Sequence, residues 1–238
     1  MQSPTLIFLP GFMGRVCDFD ELRSGLSDYD SIGVEMPTAD SWQGNLEILA
    51  DAIPNHSVLI GYSMGARLAL GTAMLANHKS IGLIFISGNP GLESESSCKQ
   101  RWQVDQQWAQ RLELEDKASF LQGWYEQTVF SHSPNSIRSD EVNRKLTYDS
   151  DAWPKVMRVN SLAKQPNYWP EIKNLNIPVL AVAGEDDEKY AGIAIRFTER
   201  SQSPLSRAMI FSGCGHIVHH EQPEKLSDSI RDFLSCLR

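Results

Sequence analysis

Residues 58–71 read Val-Leu-Ile-Gly-Tyr-Ser-Met-Gly-Ala-Arg-Leu-Ala-Leu-Gly. A short apolar run, 58–60, meets Gly61-Tyr62-Ser63-Met64-Gly65, and a segment rich in the helix formers Ala and Leu follows. That order implies strand, tight turn and helix, with Ser63 at the apex. Glycines two residues either side of the serine let strand and helix crowd together. So sharp a turn puts the serine in a strained backbone conformation, its hydroxyl standing free above the sheet. G-x-S-x-G alone also occurs as an ordinary turn with a solvated serine. The strand before it and the helix after it select a nucleophile elbow.

Upstream, Thr5–Leu9 reads as a buried strand ended by Pro10-Gly11-Phe12-Met13-Gly14. A glycine-rich loop after a strand is where backbone can approach a ligand closely. Beside an elbow, an N–H of such a loop joins the N–H of the residue after the serine to form an oxyanion hole. Phe12 and Met64 are the donors this assigns. Periodic Phe19, Leu22 and Leu26 suggest a helix, followed by a strand over 31–35. Leu46, Leu49, Ala50 and Ile53 place a second helix over 45–53, closed by Pro54. After the elbow come a wholly apolar strand, 81–87, and the loop Gly88-Asn89-Pro90-Gly91. Strands alternating with helices give an α/β class, a mostly parallel sheet with helices on both faces. Ligands in such sheets sit at the carboxyl ends of the strands.

From 92 to 165 the texture changes to helical segments carrying Trp102, Trp108, Trp124 and Trp153, with no strand candidate. The expected organisation is therefore a core in two parts, 1–91 and 166–238, with an inserted helical lid over 92–165; lids exclude water and supply binding residues. The core resumes with a strand over 177–183, ended by Gly184-Glu185-Asp186-Asp187, then a helix marked by Ile193, Ala194 and Phe197. A strand over 208–211 runs into Ser212-Gly213-Cys214-Gly215-His216, and an amphipathic helix spans 223–237.

The 238 residues suit one core with an insertion, and 41% apolar with 22% charged residues is ordinary for a soluble protein. A net charge of −8 with no Lys/Arg block argues against nucleic acid as a partner. Cys17, Cys98, Cys214 and Cys236 are scattered, which fits a reducing compartment and neither a disulfide framework nor a metal site. With no signal peptide and no apolar run of membrane-spanning length, the expectation is a cytoplasmic protein with no membrane partner. No obligate protein partner is evident.

The order nucleophile, acid, histidine follows. Ser63, an acidic residue among Glu185, Asp186, Asp187 and Glu188, and His216 each come directly after a strand, so they converge at one end of the sheet. A serine hydroxyl is a poor nucleophile or base until an imidazole takes its proton, and a carboxylate fixes that imidazole's tautomer. Asp187 is favoured, with Asp186 the alternative. His216 is preferred to His219 and His220, which belong to the start of the next helix; His56, His78 and His132 read as surface or packing residues. Arg67 lies one helical turn past Ser63. Arg101 shares a helix face with Val104 and Trp108. Inward arginines require an anion, either protein or substrate carboxylate, and two above one serine favour an acidic substrate.

Elbow, loop and triad order resemble the α/β-hydrolase superfamily over nearly the whole chain. The series NPGLESE, RWQVDQQWAQR, WYEQTVF and SLAKQP is similar to the SHCHC synthase family within it, lyases of menaquinone and phylloquinone biosynthesis. What the resemblance implies is elimination of pyruvate from a small anionic tricarboxylate substrate, with no metal or organic cofactor. Ser63, Asp187 and His216 match the family's triad, acting as a base. Tyr62, Arg67, Arg101 and Trp124 match its substrate-site positions, although Trp124 equally suits the core of the lid. Two departures stand out. The family's His-Gly-Phe loop is Pro10-Gly11-Phe12 here, and a further lid arginine falls at Lys145, with Arg144 beside it as a substitute. A serine carboxylesterase or thioesterase working through an acyl-enzyme is the alternative activity. A non-catalytic binding protein of the same fold is a third reading, against which the intact Ser/Asp/His set speaks.

Overall fold

Apolar runs without polar alternation need cover on both faces, and the chain provides it. The computed structural model describes residues 3–75 and 77–237. Its strands are β1 (Thr5–Leu9), β2 (Ser31–Gly33), β3 (Ser57–Tyr62), β4 (Ser80–Ile86), β5 (Val179–Gly184) and β6 (Arg207–Phe211). They form one sheet in the order β2-β1-β3-β4-β5-β6, every neighbouring pair parallel. The helices are α1 (Asp20–Ser24), α2 (Trp42–Ala52), α3 (Met64–Ala73), α4 (Glu95–Leu114), α5 (Lys117–Tyr125), α6 (Asn135–Leu146), α7 (Trp153–Val159), α8 (Glu188–Arg200), α9 (Val218–Glu221) and α10 (Pro223–Ser235). Among the described residues no helix is long and apolar enough to cross a membrane.

Alternate strand residues divide the interior. Ile7, Leu9, Leu59, Leu83, Phe85 and Ala181 pack with Leu46 and Leu49 of α2, Leu68 and Leu70 of α3 and Phe197 of α8. Leu6, Phe8, Val58, Ile60, Ile84 and Leu180 pack on the opposite face with Leu22 of α1 and Leu226, Ile230 and Phe233 of α10. Full burial of each such side chain contributes about 1.5–3 kcal/mol before chain entropy is counted. A third apolar cluster joins Phe120, Leu121 and Tyr125 of α5 to Met13 and Ile217 of the strand-end loops. It seats the α4–α7 segment, which holds no strand, over the carboxyl ends of the sheet.

Several boundaries differ from those read in the sequence. The helix expected over 45–53 starts at Trp42, because Ser41 caps it, its Oγ accepting from Gly44 N at 3.0 Å, and Trp42 is drawn inward by donating to the Tyr168 hydroxyl. β2 ends at Gly33 rather than 35; Val34 N makes one more bond, to Phe8 O, before Pro37 rules out further pairing. β5 begins at Val179, since Pro178 has no N–H to offer the ladder.

The strand order places the topological switch between β1 and β3, whose following segments leave in opposite directions along the sheet. Two glycines let the turn after β3 press into that crevice. A Cβ on Gly65 would lie 2.1 Å from Leu9 O and 2.3 Å from Pro10 O, and one on Gly61 would lie 2.5 Å from Gly65 O. Backbone atoms cannot yield as flexible side chains do. Gly65→Ala should therefore cost about 3 kcal/mol or more in urea unfolding. Gly192→Ala, on α8 with nothing within 4 Å of the added carbon, should instead add about 0.5–1 kcal/mol.

Candidate active site

Ser63 occupies φ 51°, ψ −108°, a region that costs a non-glycine residue about 1–3 kcal/mol. Its N–H donates to Ile86 O at 2.8 Å and its carbonyl accepts from Arg67 N, so strand, apex and helix are locked together. The side chain borders three cavities of about 430, 60 and 30 Å³. Among the described residues its hydroxyl makes no hydrogen bond. The N–H groups of Phe12 and Met64 are likewise without partners there, and both residues border the 60 Å³ cavity with Ser63. Met64 opens α3, whose N-terminal dipole adds a positive field at that point.

His216, 2% exposed, donates from Nδ1–H to Asp187 Oδ2 at 2.6 Å. Asp187 faces the imidazole; Asp186 points outward, its carbonyl accepting from His132 Nδ1–H at 2.6 Å. With Nδ1 donating, Nε2 is left as the acceptor. Ser63, Asp187 and His216 line the 430 Å³ cavity together, while the Ser63–His216 hydrogen bond is not closed in this conformation. Such links are often loose until substrate is present.

Arg67 is 6% exposed and meets only neutral acceptors: Nη1 donates to Gln165 Oε1 at 3.1 Å and Nη2 to Asn160 O at 2.8 Å. Burial, with Arg101's like charge second, pulls its pKa down to about 10, which still leaves a cation at neutral pH. Arg101 donates from Nε to buried Asp105 at 2.8 Å, and its terminal nitrogens have no partner among the described residues. Val104, its helix neighbour, is 45% exposed at the cavity rim, so this face of α4 lines an opening rather than a core. Trp124 belongs both to an aromatic cluster and to the cavity walls. It packs on Trp108 and Phe12 at 5.1 Å and borders all three cavities. The Tyr62 ring lies between His216 and His219.

Lys145 departs from the sequence reading, which gave it a substrate anion. It is 2% exposed, with Nζ donating to Glu141 Oε2 at 2.6 Å and to Asp18 Oδ2 at 3.4 Å. Tyr125 donates to the same Glu141 oxygen, and Tyr148 to Asp18 Oδ1 at 2.7 Å. Arg144, the alternative, lies 3.3 Å from Glu141 and 3.6 Å from Asp18. Two protein carboxylates already balance both cations, so neither is presented as a free anion site. Among the described residues no group of three His, Cys, Asp or Glu side chains is arranged to hold a metal ion.

A family model described as the alpha/beta hydrolase family matches residues 6–229. The chain belongs to the alpha/beta hydrolase family. It is 28% identical to the 2-succinyl-6-hydroxy-2,4-cyclohexadiene-1-carboxylate synthase of Enterobacter sp. (strain 638), covering 97% of this chain and 92% of that protein. It is also 28% identical to the synthase of the same name from Yersinia pseudotuberculosis serotype O:1b (strain IP 31758), over 98% and 88%. The solved structure of MenH from S. aureus shares the fold at TM-score 0.91 and 24% identity, over 100% of this chain and 96% of that one. A thermophilic esterase from Thermogutta terrifontis also shares it, at TM-score 0.75 and 17% identity, over 99% and 91%.

Three residues around the candidate site were not singled out by sequence. Tyr190 stands edge-on to His216 at 4.7 Å and borders two of the cavities; its signal was position, one turn past Asp187 on α8. His219 is buried against Tyr62 at 4.2 Å, where burial, with His220 second, holds its pKa well below the usual value. His132, read as surface, lies at the cavity mouth. The ion cluster generates a stability prediction. Burial opposes ionisation of Glu141, but Lys145 and His220 outweigh it and hold the carboxyl well below its ordinary 4.5. A depressed native pKa contributes stability that is complete above the unfolded value and lost as pH falls through the native one. The melting temperature should fall as pH drops below about 4.5, and fall less steeply in Glu141→Gln. Lys145→Ala, which leaves two buried carboxylates with part-exposed Arg144 as their remaining arginine or lysine partner, should cost about 3 kcal/mol at neutral pH by urea unfolding.

Proposed function

We propose that this hydrolase-fold protein is a 2-succinyl-6-hydroxy-2,4-cyclohexadiene-1-carboxylate synthase. It would eliminate pyruvate from 2-succinyl-5-enolpyruvyl-6-hydroxy-3-cyclohexene-1-carboxylate in menaquinone or phylloquinone biosynthesis. The observation that carries this reading is the pair of guanidinium groups beside Ser63. Arg67 is buried with no carboxylate partner among the described residues, and only the Nε–H of Arg101 is paired there, its four terminal N–H donors being unused. A buried cation held only by neutral groups calls for an anion, and the substrate carries three carboxylates.

In this reading His216, oriented by Asp187, draws the Ser63 proton, and the serine oxygen takes the proton from the carbon alpha to the succinyl ketone. Electron density moves onto the ketone oxygen, where the N–H groups of Phe12 and Met64 stabilise the dienolate. Its collapse shifts the ring double bond and breaks the bond to the enolpyruvyl oxygen. The enolpyruvyl oxygen leaves with the electron pair and takes the proton held on His216, the enol released becomes pyruvate, and the conjugated diene remains. Arg67 and Arg101 hold substrate carboxylates, while Tyr62 and Trp124 wall the ring. An ester or thioester hydrolase would use the same triad but has no need of the cation pair.

The test is turnover of the enolpyruvyl substrate with pyruvate measured by coupled lactate dehydrogenase, beside a panel of simple esters. Pyruvate release at enzymatic rates is expected. Rapid ester hydrolysis without it would overturn the reading. Ser63→Ala and His216→Ala should each lower kcat by about 10³-fold or more, because triad members act as a unit. Arg101→Ala, at a part-exposed position, should raise KM by about 10–100-fold with a smaller loss in kcat.

A further inference from the structure

Glu221, the last residue of α9, sits five positions after His216 and has no place in the reaction as proposed. Its carboxylate nevertheless gathers three donors around the histidine. Gly215 N–H donates to Oε2 at 2.7 Å, Ile217 N–H to Oε1 at 3.0 Å, and Ser133 Oγ–H to Oε1 at 2.6 Å. The first two flank His216 on either side, so one rigid carboxylate spans the turn that carries the imidazole. The third comes from the turn between α5 and α6. The neighbouring His132 bonds to Asp186 O, so two consecutive residues there fasten to the loops bearing Asp187 and His216.

We propose that Glu221 is a positioning residue, a carboxylate clamp that holds the 215–217 turn so that His216 Nδ1 meets Asp187 and Nε2 faces Ser63. The assignment rests on the Ser63–His216–Asp187 reading. The turn is held from its carbonyl side by other groups, and the clamp supplies what the amide side meets. On its inner side Ser87 Oγ–H donates to His216 O at 3.0 Å. A Cβ on Gly184 would lie 2.0 Å from Cys214 O and 2.2 Å from Gly215 O, so the turn is packed on β5 below. The N–H groups of residues 215 and 217 point the other way, and Glu221 is what they meet. An ionised acceptor suits this place, because charge-assisted bonds to a carboxylate are roughly twice as strong as neutral ones.

The substitution Glu221→Gln is nearly isosteric but turns an amide N–H₂ toward one of the backbone donors. Donor against donor opens the turn. A reacting group misplaced by about 1 Å loses about 10²-fold in rate, so kcat for pyruvate release should fall by about that factor with KM nearly unchanged. The far-downfield proton signal of the short His216 Nδ1–H to Asp187 bond should shift or broaden. Glu221→Asp retains the charge one methylene short and should recover part of both. Ser133→Ala removes only the third donor and should keep the signal and most of kcat.

Wild-type kcat and an unchanged downfield signal in Glu221→Gln would overturn the assignment. So would a Ser133→Ala loss equal to that of Glu221→Gln, since the effect would then run through the α5–α6 turn and not through the histidine turn. If Glu221→Gln does not fold, Glu221→Asp decides: an intermediate kcat with a shifted signal supports the clamp, and wild-type values for both overturn it. Absence of the signal and of turnover in the wild-type protein would overturn the triad reading itself, which is a separate result from any difference among the variants.

Discussion

The carbonyl oxygens of Leu9 and Pro10 sit where a side-chain carbon at position 65 would have to be, and much else follows from that contact. It brings the N-terminus of α3 against the loop after β1. That places the N–H groups of Phe12 and Met64 at one small cavity and lifts Ser63 into a backbone conformation that a free chain avoids. The strain is held by the sheet on one side, through Ser63 N to Ile86 O, and by the first turn of α3 on the other. The exposed, strained setting of Ser63 is thus a property of backbone packing before any neighbouring side chain is considered. The imidazole and its carboxylate are added from β5 and β6, at the same end of the same sheet.

Charge is distributed unevenly around that serine. On the side of α4, Arg101 is paired with one buried carboxylate, Asp105, which also accepts from Ser161, while Arg67 has only neutral acceptors. On the side of α6, Lys145 and Arg144 face Asp18 and Glu141 and are balanced. Local electrostatics therefore attract anions to one wall of the cleft and leave the other neutral, against a chain whose net charge is −8. The balanced wall ties α6 to the loop after β1. Burying that many charges brings little net stability by itself, yet removing any one partner is costly, so the arrangement resists rearrangement of α6.

The parts of this architecture that were legible in the sequence are those governed by short-range rules. Glycine spacing around Ser63, wholly apolar strands and the 3.6-residue pattern of α10 each act within a dozen residues, and each has its counterpart in the fold. Arg67 was legible because its distance from Ser63 along one helix sets its direction. The pairing of Lys145 with Asp18 was not, since Asp18 lies in the connection between β1 and β2 and no local pattern links the two. Asp187 and Asp186 are adjacent in a loop, where only the backbone path decides which faces inward. The start of α2 was misjudged because Trp42 looks like a loop residue until its indole finds Tyr168, a contact made across the molecule.

The members of the proposed triad are dispersed along the chain, with Ser63 after the third strand and His216 after the sixth, which lies at the edge of the sheet beside β5. An edge strand and the short segment beyond it can open locally at a lower free energy than the central strands. The elbow can therefore be complete while the base is absent. In the proposed reading, detachment of that last strand would leave a pocket still shaped around Ser63 but idle, so loss of activity would precede loss of the fold.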